Sequence, residues 1–170
     1  MTSAATSPPP TTYRFTNRAD LEILVPVQAS VTDAFAAITD WPAQGEWMLG
    51  TRVWVSRGSG HSVGDELSGF TGIGRLGFLD TMDVTRFDDN LVVVQHTGKV
   101  VRGIGWMGAR PGPSGHGAVL VWGESVDLPL GAVGRAGWSL LVKPLLSLAV
   151  RQSLRSLARN VRQRVQVGAD

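Results

Sequence analysis

The strongest constraint on this chain is its last long segment, residues 140–167, which holds 28 residues with no glycine and one proline, Pro144. An apolar stripe runs through its second half at Leu146, Val150, Leu154, Leu157, Val161 and Val165. Steps of three and four place such a stripe on one side of an α-helix, against a core. The first half differs, because Leu141, Val142, Leu145, Leu146, Leu148, Ala149 and Val150 surround the axis. A helix that is apolar all round is ordinarily buried on every side. Residues 141–150 are therefore expected to be enclosed by what precedes them.

What precedes them reads mostly as strands. Leu21 to Val27 alternates as a first strand, with Pro26 assigning it to an edge or a strand end. Ser30 followed by Asp33 has the form of a helix N-cap, and Val31, Phe35 and Ile38 keep helical spacing. That helix ends before Trp41 and Pro42, and a second short one is expected over Ala43 to Met48. From Thr51 the period becomes two. Strands are expected over residues 52–56, 65–70, 77–87, 91–97, 103–109 and 118–128, separated by turn-rich stretches. Short connections favour an antiparallel sheet. A curved sheet folded around the last helix explains that helix's apolar start.

This order, and the residues that carry it, resemble the START/birch-pollen-allergen (SRPBCC) superfamily in its polyketide cyclase/dehydrase branch. The resemblance spans about Leu21 to Val165. It rests on the strand, helix and aromatic-rich second helix of residues 21–48, the Gly64–Asp65 turn, the strand ending at Val126 to Pro129, and the glycine-containing linker of residues 130–138. It implies an α+β helix-grip fold: a curved antiparallel sheet of about seven strands around a long C-terminal helix, with two short helices after the first strand. It also implies a deep apolar cavity between sheet and C-terminal helix, and no family-wide catalytic motif. The expected organisation is a disordered N-terminal tail over residues 1–16 and a single helix-grip domain over residues 17–167. Tyr13 and Phe15 are placed where docking onto the domain can begin.

Strand parity selects candidate site residues. In the last strand Leu120, Trp122, Glu124, Val126 and Leu128 share the face with the larger side chains, so Glu124 is expected to point inward. The alternative is a bulge at Gly123 that turns it to solvent. His96 shares a face with Val92 and Val94. If both faced the cavity they would form an acid–base pair, although a strand histidine is more often structural. Phe78, Met82 and Val84 share parity too. The candidate ligand contacts are Met48, Trp54, Phe70, Met82, Trp106, Trp122, Glu124, Leu145, Leu148 and Ala149. The first six of these are the kind of methionine and aromatic lining that suits an adaptable apolar pocket.

Other chemistries find little footing. Cysteine is absent, which excludes disulfides and thiolate chemistry. His61, His96 and His116 lack the spacing of a zinc site, so no metal is expected, and no cofactor either. Residues 72–77 match G-x-G-x-x-G but lie between strands, not at a helix start, and no nucleophile elbow occurs. No signal peptide is evident at the start of the chain, and its apolar runs are broken by Lys143, Pro144 and serines, so a cytoplasmic protein is expected. Net charge is only +2, yet residues 129–169 hold seven basic residues and no acid. Arg151, Arg155, Arg159 and Arg162 form one stripe, either a solvated face or a contact for a peripheral membrane or anionic partner. No aromatics interleave them, so nucleic acid is not expected.

Three functions follow, in order. The first is binding of a hydrophobic small molecule (a lipid, polyketide or aromatic metabolite) between sheet and C-terminal helix. The second is a polyketide cyclase or dehydratase using Glu124 and His96 as acid and base. The third is a regulatory or interaction role for the basic helix face. Sequence leaves the ligand and oligomeric state open.

Overall fold

The computed structural model describes residues 9–113 and 115–167, with side chains through Arg164. The first eight residues of the expected tail, and the side chain of Val165 in the expected stripe, lie outside the described residues. One sheet of seven strands forms the body: β1 (Arg18–Val27), β2 (Thr51–Arg57), β3 (Glu66–Ile73), β4 (Leu76–Phe87), β5 (Leu91–His96), β6 (Gly103–Pro111) and β7 (Ala118–Asp127). Every neighbouring pair is antiparallel in the order β1-β7-β6-β5-β4-β3-β2. β2 to β7 is thus a meander, and β1 closes beside β7 as an edge strand, where Pro26 costs no inner ladder bond.

Two short helices, α1 (Val31–Ile38) and α2 (Gln44–Trp47), follow β1. The Ser30 hydroxyl accepts the Asp33 backbone N–H at 3.0 Å, so the N-cap read from sequence sets where α1 begins. Alternation sorts the sheet residues into two layers. Leu21, Ile23, Val25, Val27, Leu67, Met82, Val84, Val92, Val94, Leu120 and Trp122 face the helices and form the main core with Val150, Leu154, Leu157 and Val161. Val93, Ile104, Trp106 and Val121 lie on the outer, convex face, where Tyr13, Phe15, Leu24 and Leu91 cover them. Tyr13 and Phe15 therefore belong to the packed domain even though they precede β1.

The last helix is longer than its sequence pattern indicates. It begins at Gly131 as α3 (Gly131–Gly137), passes through a π-helical turn at Trp138–Val142, and continues as α4 (Lys143–Val167). A proline ring inside a helix collides with the carbonyl four residues earlier. The wider π-turn sits where Pro144 would meet residue 140, so the helix continues through the proline. Among the described residues, Gly131–Arg164 is one helix long and apolar enough to cross a membrane by length and composition.

The expected burial of residues 141–150 is corrected here. Leu140 is 75%, Leu141 65%, Leu145 67% and Leu148 66% exposed, and only Val150 is buried. The sheet and α1 cover a single row of this helix, Val150, Leu154, Leu157 and Val161, and that row starts where the all-round apolar stretch ends. Apolarity on every side shows that a helix avoids water, but it does not say which molecule covers it.

Candidate functional site

Asp80 of β4, His96 of β5 and Glu124 of β7 all point to the concave face, on the same parity rows as Met82, Val94 and Trp122. Their side chains meet. His96 Nδ1 lies 2.6 Å from Asp80 Oδ2, and its Nε2 lies 2.9 Å from Glu124 Oε2. Side-chain exposures are 6% for His96, 11% for Asp80 and 14% for Glu124. Burial opposes charge on His96, but the Glu124 charge, the hydrogen bonds that His96 donates to both carboxylates and the Asp80 charge outweigh it. The net effect raises the imidazole from 6.5 to about 10. His96 is accordingly an imidazolium at neutral pH, donating one N–H to each carboxylate.

This contact crosses a strand. β6 lies between β5 and β7, and a side chain on its concave face at that level would crowd the two groups, the more so the larger it is. The residue there is Gly105, where a Cβ would stand 3.1 Å from Glu124 Oε1 and 3.2 Å from His96 Nε2. On the opposite face, Gly123 gives room to the Trp106 indole, since a Cβ would come within 2.0 Å of it. The β6–β7 register continues unbroken from Gly103↔Val126 to Pro111↔Ala118, so no bulge turns Glu124 outward. Asp80 Oδ1 is buried and has no hydrogen-bond partner among the described residues. Both imidazole nitrogens are occupied by carboxylates, and among the described residues no group of three or more potential ligands is arranged to hold a metal ion.

A separate groove of about 330 Å³ opens where β2 begins and β3 ends. It is lined by Met48, Thr51, Arg52 and Phe70, with glycines between them. The Arg52 guanidinium sits 5.8 Å from the Phe70 ring centre. This volume lies at the outer edge of the sheet, beside β2, and the Asp80–His96–Glu124 cluster does not line it.

No family model and no curated protein matches the sequence. Solved structures resemble its fold. The aromatase/cyclase di-domain StfQ from the steffimycin biosynthetic pathway superposes with a TM-score of 0.69 at 15% identity, covering 88% of this chain and 52% of that one. This chain thus spans about half the length of StfQ. The Zhui aromatase/cyclase from Streptomyces sp. R1128 gives 0.61 at 14% identity over 88% of this chain and 96% of that one. Ara h 8.0201 gives 0.61 at 8% identity over 86% and 99%.

The fold is the helix grip.

Within this helix grip, the candidate ligand contacts separate by face. Met82, Trp122 and Glu124 lie on the concave face, Ala149 is a half-buried residue of α4, and Met48 packs partly buried against the core. Trp54, Phe70 and Trp106 are corrected to the convex face. Trp54 is 43% exposed, out of step with the concave Val53 and Val55. Phe70 follows Gly69, whose concave side faces Met82 and Val53, and Trp106 fills the outer cluster. Leu145 and Leu148 are corrected to the outward side of α4, where Leu146 and Val150 take the inward positions. Sequence reading missed Asp80 and Gly105. The signal for Asp80 was present, since it falls on the row of Phe78, Met82 and Val84, but nothing in an isolated strand says that a histidine at the far end of the next strand is its neighbour.

Proposed function

We propose that this protein binds a hydrophobic small molecule against the concave face of its sheet and holds the molecule's polar end at Glu124. The observation carrying this reading is the buried Asp80–His96–Glu124 relay. Ionisable groups withdrawn from water cost free energy, and an apolar trio of the same size would fill a core at least as well. Three of them converging on one concave face of an otherwise apolar core are better accounted for by a ligand than by stability. The apolar neighbours Met82 and Trp122 supply adaptable contact area beside Glu124. The unpaired Asp80 Oδ1 adds a second acceptor for a hydroxyl-bearing molecule.

Native mass spectrometry of the purified protein, before and after organic extraction, tests this. An adduct of small-molecule mass that weakens about tenfold or more in Glu124→Gln is expected, since a buried charged hydrogen bond is worth about 1.5–3 kcal/mol. Absence of any adduct, even after incubation with lipid extracts and aromatic polyketides, would overturn the reading.

A second reading is favoured by the same relay: a cyclase or dehydratase acting on a polyketide-like substrate. Such a reaction removes a proton from a carbon beside a carbonyl. The resulting enolate adds to a second carbonyl and closes a ring, and the new alkoxide then takes a proton. Glu124 would accept the first proton and return it to the alkoxide, so that atoms and charge balance over ring closure. His96, held charged by Asp80, would orient the carboxylate and stabilise negative charge developing nearby. Turnover of a poly-β-ketone substrate by the wild type, lost in Glu124→Gln even at substrate concentrations that saturate the weakened variant, would support this reading. Binding without turnover would leave the first reading and dismiss the second.

A further inference from the structure

We infer that the outward face of the long C-terminal helix docks this protein on an anionic lipid surface. The face opposite the buried row Val150, Leu154, Leu157 and Val161 has two parts. Its first part is apolar and exposed: Val133 is 73%, Leu140 75%, Leu145 67% and Leu148 66% accessible. Its second part is the exposed row Arg151, Arg155, Arg159 and Arg162. Leu148 stands seven residues before Arg155 and eleven before Arg159, spacings that return to the same side of an α-helix. One outward face is therefore apolar for its first turns and cationic for the turns that follow. No acidic residue occurs in residues 129–169 to neutralise it, and none of these four arginines forms an ion pair among the described residues.

Charge selects the occupant. A second copy laid parallel on this face would set arginine against arginine, and one laid antiparallel would set arginine against leucine, whereas an anionic bilayer offers hydrocarbon for the leucines and phosphate for the guanidinium groups at adjoining depths. The helix has the length and hydropathy of a membrane span, but its inner row is packed against β1 and α1, so it lies along the surface and does not cross. A second element points the same way. The β3–β4 hairpin tip exposes Ile73 (87%) and Leu76 (83%) on either side of Arg75, at the end of the sheet from which the long helix starts. Solvent-exposed apolar surface this extensive, bordered by cations, is the signature of an interfacial helix.

Co-sedimentation of the full chain with phosphatidylcholine vesicles, with and without phosphatidylglycerol, tests the inference. The protein is expected to partition onto the anionic vesicles, and added salt should weaken this. Each of two double variants, Leu145→Glu with Leu148→Glu and Arg155→Glu with Arg159→Glu, should reduce partitioning about tenfold or more. All four side chains are exposed, so circular dichroism should show both variants folded. Three results would overturn the inference. One is a wild type that ignores anionic vesicles. Another is variants that bind like the wild type. The third is a lipid-independent dimer that the leucine variant dissolves, which would assign the face to a second copy.

Discussion

His96 Nε2 reaches Glu124 Oε2 at 2.9 Å although their strands are not neighbours in the sheet. The connection exists because Gly105 of the intervening strand presents no side chain between them. Gly105→Val should push the carboxylate and imidazole apart and destabilise the fold by about 1–3 kcal/mol, the cost of unpairing a buried polar group. Urea unfolding measures the loss. The imidazole resonance, followed by NMR titration, should move back towards the ordinary histidine range as one charge partner is removed.

The raised affinity of His96 for its proton makes stability depend on alkaline pH. Its value in the folded chain is about 10, against 6.5 for an unperturbed histidine. Below the unfolded value both states carry the proton and the stabilisation is fully present. As pH rises from there towards the folded value, the unfolded state sheds its proton first, and stability falls by up to about 1.4 kcal/mol per pH unit. Above the folded value the contribution is gone. Denaturant unfolding of the wild type between neutral and strongly alkaline pH should show this slope, and the difference from His96→Gln isolates it. A flat difference across that window would mean that His96 is not held charged.

On the other face, Gly123 and Trp106 form a packing pair. A methyl group at residue 123 would fall 2.0 Å from the indole, closer than any relaxed contact allows. Gly123→Ala should therefore displace Trp106 from Val93, Ile104 and Val121 and cost about 1–3 kcal/mol by overpacking. Tryptophan fluorescence should shift as the ring loses its buried site, and the melting temperature should fall.

Two leucines of one helix make a direct test of which side is covered. Leu154 is fully buried, and Leu154→Ala should cost about 2–5 kcal/mol. Leu145 is 67% exposed, and Leu145→Ala should change stability by no more than about 0.5 kcal/mol. Equal losses at the two positions in thermal or chemical unfolding would restore the enclosed helix that the all-round apolar pattern predicts.

Local pattern determined a great deal of this protein. The period of two placed all seven strands to within three residues at either end, and the Ser30 cap and helical spacing placed α1. The meander order and the long last helix were legible too, because short connections leave antiparallel neighbours as the simple solution. Parity also favoured an inward face for Glu124, and put His96 on one face with Val92 and Val94 without saying which face was inward. Register decided what parity cannot: which inward residues share a level across the sheet. That brought Asp80 to His96, and let Glu124 cross β6 at Gly105, through contacts between residues 16 and 28 positions apart. Size misled for Trp54, Phe70 and Trp106, whose aromatic rings suggested the inner layer while a second cluster on the convex face was hidden from a strand-by-strand reading. The long helix shows the same division. Its sequence determined that residues 140–150 form an apolar helix, and only the packing of the domain decided that the sheet covers the row from Val150 onward and leaves the leucines before it facing outward.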